Sequence, residues 1–159
     1  MGREVRMVPG DWQHPKDASG KYVPLHRGPF GEKLSQWEDG SALWDTGCYR
    51  DFLDPGKLVP TPPETTYEEW YGQRPVPEEY MPEFGAEADH FQMYETCSEV
   101  TPISPVLAAP EQLAEWLSET GASVFGGMTA GRDYWLRLIH GDAIGIATIN
   151  TSTGEWAPA

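Results

Sequence analysis

Four histidines, two cysteines and two pairs of adjacent glutamates are the side chains in this sequence best suited to bind a metal or move a proton. His14, His26, His90 and His140 include no pair three or four residues apart, the spacing that sets two metal ligands on one helical face. Asp89-His90 beside Glu87 has the letters of a divalent-cation site, but an acidic surface turn carries the same letters. His140, near a predicted helix end, suits the negative end of the helix dipole. Cys48 and Cys97 are not spaced as a zinc pair and are too few to staple a secreted domain, so reduced, unbridged and partly buried thiols are expected. Glu68-Glu69 and Glu78-Glu79 would do acid/base work only in environments different enough to separate their pKa values, and neighbours on a Pro-rich surface share one environment. Ser35, Ser104 and Ser118 lack a nucleophile-elbow context. Gly126-Gly127-Met-Thr-Ala-Gly131-Arg132 precedes a helix without the Gly-Lys-Ser/Thr ending of a phosphate loop, and reads as a plain turn between helices. The expectation is a protein with no catalytic residue, no metal and no cofactor.

The remaining signal is charge interleaved with rings. The 159 residues carry 25 Asp/Glu against 11 Lys/Arg, and Gly31 to Val100 holds sixteen of those acids against four bases. Within it lie Tyr67-Glu-Glu-Trp70-Tyr71, Glu78-Glu-Tyr80-Met-Pro-Glu83-Phe84 and Glu87-Ala-Asp89-His-Phe91. A dense acidic face repels nucleic acid and anionic membranes and attracts basic protein surfaces. Nucleic-acid binders interleave their rings with bases instead. The candidate partner-binding residues are therefore Glu68, Glu69, Tyr71, Glu78, Glu79, Tyr80, Glu83, Phe84, Glu87 and Asp89, with the carboxylates standing where phosphates would lie and the rings as anchors. A plainer alternative has the acids serving solubility and the rings turned inward.

These residues need a scaffold, and the predicted class is α+β: one small domain over 1–159, with helices on a short sheet made by the terminal segments and a long Pro-rich acidic loop at 55–82. Arg3 to Val8 alternates as a strand with Val5 and Met7 inward, and Lys21 to Leu25 reads as an edge strand pairing back onto it. Leu34, Trp37, Ser41 and Trp44 recur at helical spacing over Phe30 to Asp45. Thr66 suits the cap of a short helix to Trp70, and His90 to Ser98 reads as a strand broken by Thr101-Pro-Ile-Ser-Pro105. Two further helices are predicted, Pro110 to Thr120 and Thr129 to His140, ended by Gly121 and Gly141, with Trp116, Leu117, Trp135 and Leu138 buried. Ala143 to Asn150 closes the chain as a strand. No apolar run approaches the roughly 20 residues that span a bilayer. The opening Met-Gly-Arg-Glu-Val-Arg lacks the apolar centre of a signal peptide, so a cytoplasmic protein is expected.

The segments Arg3-Glu-Val-Arg-Met-Val-Pro9, Trp12-Gln-His-Pro-Lys-Asp17, Tyr94-Glu-Thr-Cys97, Thr101-Pro-Ile-Ser-Pro-Val106, Pro110-Glu-Gln-Leu-Ala-Glu-Trp-Leu117 and Gly121-Ala-Ser to Thr129 resemble a group of small acidic proteins of tailed bacteriophages and prophages. The resemblance covers both ends, about half the chain, and leaves out the Pro-rich middle. It implies a host-takeover or anti-defence protein in the cytoplasm of an infected bacterium, binding a basic surface of a host complex. The alternatives are a virion or assembly-associated protein and a small enzyme. The resemblance carries over no catalytic residue.

Overall fold

The computed structural model describes residues 2–141 together with the backbone of 147–149 and 155–158. Its order is β1 (Arg3–Val8), α1 (Phe30–Asp45), β2 (Cys48–Arg50), β3 (Leu58–Pro60), α2 (Tyr67–Tyr71), β4 (His90–Glu95), β5 (Thr101–Pro102), α3 (Pro110–Glu119), β6 (Ser123–Phe125), β7 (Met128–Ala130), α4 (Arg132–His140), β8 (Ala147–Ile149) and β9 (Glu155–Pro158). A 3-10 turn occupies Pro77–Glu79. The class is α+β. The chain forms two compact units, one of Met1–Pro24 with Phe84–Ala159 and the other of Leu25–Glu83.

In the first unit β1 pairs antiparallel with β4, and β4 with β5. Pro110 opens α3 at a position whose N–H has no intrahelical partner anyway. Gly121 and Gly141, at φ of 65° and 75°, take the left-handed conformation that ends α3 and α4. Leu113, Ala114 and Leu117 of α3 bury against Tyr134, Trp135 and Ile139 of α4, with Met93 of β4 in the same cluster. Of the four residues expected inside, Leu117 and Trp135 are fully buried, while Trp116 and Leu138 pack half-buried at its edge.

Local pattern misleads at four places. Arg6 is buried and Met7 is 45% exposed, the reverse of the expected phase. Both faces of β1 are used: Val5 lies opposite Met93 and joins the helical core, while Arg6 lies 4.2 Å over the Tyr94 ring and bonds Glu4 at 3.0 Å. Lys21 to Leu25 is no strand, since one bridge, Lys16 to Tyr22, closes a turn in which Asp17 accepts from Ser19 and Lys21. Thr129 does not cap α4. It sits in β7, which forms a hairpin with β6 across Gly126-Gly127, both at positive φ, and Gly131 takes the cap position. The terminal segments enter two sheets, because β9 pairs with β7 and β8 while β1 pairs with β4. The expected strand Ala143 to Asn150 is described only as Ala147–Ile149.

In the second unit α1 has the predicted limits. Its stripe buries Trp44, half-buries Leu34, Trp37 and Ser41, and leaves Glu32, Glu38, Asp39 and Asp45 in solvent. Gly47, at φ 90°, turns the chain into β2, which pairs antiparallel with β3. The Pro-rich 55–82 segment is mostly loop, with β3, α2 and the 3-10 turn set into it.

Candidate functional site

The second unit carries an aromatic ladder. Trp44 of α1 lies 5.8 Å from Tyr49 of β2, from Tyr67 and from Trp70 of α2; Tyr49 and Trp70 are 5.1 Å apart, and Tyr67 stacks on Tyr71 at 5.2 Å and 6°. Helical spacing puts Tyr67, Trp70 and Tyr71 on one side of α2, and a capping box fixes that short helix: Thr66 Oγ1 accepts from Glu69 N, and the Glu69 carboxylate accepts from Thr66 N at 2.8 Å. The Thr66 N–H first, and then the Thr66 hydroxyl, which donates to the same carboxylate at 3.0 Å, hold the Glu69 carboxyl below its ordinary range. Two side-chain bonds tie the ladder to the backbone, Trp37 Nε1 to Gly72 O at 2.9 Å and Trp44 Nε1 to Thr65 O at 3.2 Å.

Gly40 is what lets Tyr67 lie on α1. A Cβ at this position would fall on the Tyr67 hydroxyl and 2.7 Å from Cζ. The outer rings of the ladder remain in solvent, with Trp70 49% and Tyr71 63% exposed. Between α1, β2 and α2 they bound a cleft of about 630 Å³, lined by Asp39, Leu43, Tyr49, Arg50, Trp70 and Tyr71 among others.

The ten candidate residues divide between the units. Glu68, Glu69, Tyr71, Glu78, Glu79, Tyr80 and Glu83 belong to the second unit, and Phe84, Glu87 and Asp89 to the first. All seven carboxylates are exposed. Of the three rings, Tyr71 is exposed, whereas Tyr80 is half-buried against His26 and Phe30 and Phe84 is half-buried edge-on to Trp12 at 5.1 Å. Asp89 accepts from His90 Nδ1 at 2.6 Å, which holds its carboxyl low. Cys97 is exposed and Cys48 half-buried, so the expectation of partial burial fails for Cys97.

Sequence reasoning missed Phe52 and Leu53, 94% and 89% exposed at the tip of the β2–β3 hairpin. That tip is ordered by local bonds: Asp51 Oδ1 accepts from Leu53 N and Asp54 N, Asp51 N donates to Lys57 O, and Arg50 donates to Pro55 O. The Asp-x-x-Asp-Pro-Gly turn chemistry was the available signal.

The first unit has its own cleft of about 790 Å³, whose lining includes Trp12, His14, Tyr22, Gln92, Ser104 and Trp116. Its polar groups are spent on the fold. His14 Nε2 faces the Val23 carbonyl at 2.6 Å and so carries the hydrogen there, leaving Nδ1 towards the Tyr94 hydroxyl at 3.1 Å. That hydroxyl accepts from Trp12 and has one hydrogen to share between His14 Nδ1 and Gln92 Oε1, each at 3.1 Å, while the Gln92 amide donates to Ser104 O at 3.0 Å. Burial is the main reason that His14 is pushed below its ordinary pKa, with Arg6 adding to it, and burial raises Tyr94. Among the described residues no three His, Cys, Asp or Glu side chains gather as a metal site, and no helix is long and apolar enough to cross a membrane.

No family model, curated protein or solved structure matches the chain.

Proposed function

We propose that this chain is a phage-encoded host-takeover or anti-defence protein that works in the cytoplasm of the infected bacterium, by occupying a basic, nucleic-acid-binding surface of a host complex. The observation that carries this is the juxtaposition on α2 of an exposed carboxylate, Glu68, with the exposed rings of Trp70 and Tyr71. Around it, Leu25–Glu83 holds twelve Asp/Glu against five Lys/Arg. Carboxylates spaced over such a surface answer the Lys and Arg of a groove built for phosphates, and large rings supply the desolvated centre that most of the binding energy requires. The ordered Phe52-Leu53 tip offers a further apolar anchor on the same unit.

The test is affinity capture from infected cells with the native protein and with a folded variant carrying Glu68→Lys, Glu78→Lys, Glu79→Lys and Glu83→Lys, followed by competition against nucleic acid on the purified target. The native protein is expected to displace nucleic acid from a host complex, more weakly as salt rises, and the variant to lose it. Equal capture by the variant, or recovery of the native protein with virions alone, would sink the proposal.

A further inference from the structure

The geometry points to the aromatic cleft of the second unit as a receptor for one arginine side chain of the partner, a step that rests on the acidic-face function proposed above. Three observations converge. The cleft is walled by rings, Tyr49 and Tyr67 half-buried and Trp70 and Tyr71 largely exposed, and its volume of about 630 Å³ has room for a guanidinium and its stem. Asp39 stands on its α1 side and its carboxylate makes no hydrogen bond or ion pair among the described residues, whereas the Glu38 carboxylate beside it is taken by Arg74 at 2.6 Å. The cation already lining the cleft, Arg50, donates to the Pro55 carbonyl at 3.2 Å and is thereby engaged at the hairpin tip.

A ring-walled cleft with an unanswered carboxylate favours a cation over an anion or a neutral group, because the ring faces and the acid attract the same charge. Among cations the planar guanidinium fits best, since it stacks on rings while its edge bonds a carboxylate in a fork. The unit's excess of acids brings such a side chain in rather than a phosphate or a nucleobase.

The probe is N-acetyl-arginine amide, titrated into the full chain while the Trp70 indole N–H is followed by NMR, with N-acetyl-citrulline amide as the neutral control of the same shape. The arginine probe should shift the Trp70 signal, and the citrulline probe should bind about tenfold weaker or not at all. Asp39→Asn, a surface change, should weaken the arginine probe several-fold, and Arg50→Gln should tighten it by removing a like charge. An anion site would respond to these two substitutions with the opposite signs. No shift at Trp70, equal binding of citrulline, or indifference to Asp39→Asn overturns the inference. Its failure is separable from that of the proposed function. If the four-lysine variant loses the host complex while Asp39→Asn keeps it, the acidic face stands and the cleft does not. If the four-lysine variant keeps the complex, the acidic-face function fails whatever the arginine probe does.

Discussion

Gly40→Ala should destabilise the second unit, although replacing a mid-helix glycine by alanine ordinarily favours a helix by about 0.8–1.0 kcal/mol. The added Cβ would fall on the Tyr67 hydroxyl and lie 2.7 Å from Cζ and 3.5 Å from Cε2. A clash with the far end of a side chain is cheap only if that side chain can swing away. Tyr67 cannot do so freely, because it packs 5.3 Å from Trp37 and 5.8 Å from Trp44 and stacks on Tyr71 at 5.2 Å. Overpacking of this kind costs about 1–3 kcal/mol, which exceeds the propensity gain over most of its range. The net expectation is a loss of about 1 kcal/mol, measured by urea unfolding with fluorescence from Trp37, Trp44 and Trp70. The decisive comparison uses Tyr67→Ala as background, where the clash is gone and Gly40→Ala should stabilise by up to about 1 kcal/mol. A native-background Gly40→Ala variant that gains stability would refute the reasoning, since it would mean that Tyr67 is not held on α1.

Glu95 accepts from the backbone N–H groups of Glu99, Cys97 and Ser98 and from the Ser98 hydroxyl, bonds that draw its pKa down to about 2. Because the folded value lies below the unfolded one, its stabilisation is complete above pH 4.5 and is lost as pH falls towards 2; Glu95→Gln should remove that part of the acid dependence of stability. His14, depressed by burial, should titrate by NMR below 6.5, and stability should decline as pH drops below 6.5 and the unfolded chain takes up a proton that the folded one resists. Phe52→Ser and Leu53→Ser should leave stability within about 0.5 kcal/mol in urea unfolding, since neither side chain is packed, and should weaken binding to the host complex.

What was legible in the sequence is what local physics decides. The α1 stripe, the Thr66 cap, Pro110 at a helix start and Gly121 and Gly141 at helix ends are fixed by residues a few positions apart. The phase of β1 was not legible, because alternation names two faces and cannot say that both are covered; Arg6 is buried by a ring that arrives from Tyr94, 88 positions on. Thr129 went to a strand because two successive glycines at positive φ make a hairpin, and nothing near Thr129 distinguishes that from a cap. At the candidate site the acids were visible but their environments were not. The cleft exists because α2 returns onto α1 at Gly40, which no local pattern announces, and at Phe52 the Asp-Pro-Gly chemistry announces a turn without saying which of its side chains stay unpacked.

That difference in environment decides which acids a charge-reversal experiment should touch. Glu38, Asp51 and Glu69 are occupied within the protein, by Arg74, by the hairpin-tip amides and by the Thr66 cap, whereas the side-chain carboxylates of Glu68, Glu78, Glu79 and Glu83 make no hydrogen bond or ion pair among the described residues. Reversing Glu69 would therefore confound two effects. It would invert one exposed charge, a small effect in any single contact, and it would break the reciprocal half of the capping box that orders a five-residue helix. A helix of that length has little stability of its own, so Trp70 and Tyr71 would lose their positions along with the charge. Glu69→Lys is accordingly expected to disturb the Trp70 environment in near-ultraviolet circular dichroism, and Glu68→Lys to leave it unchanged. If both variants keep the native spectrum yet lose the host complex equally, α2 is held by its rings rather than by its cap, and the charge alone accounts for the binding.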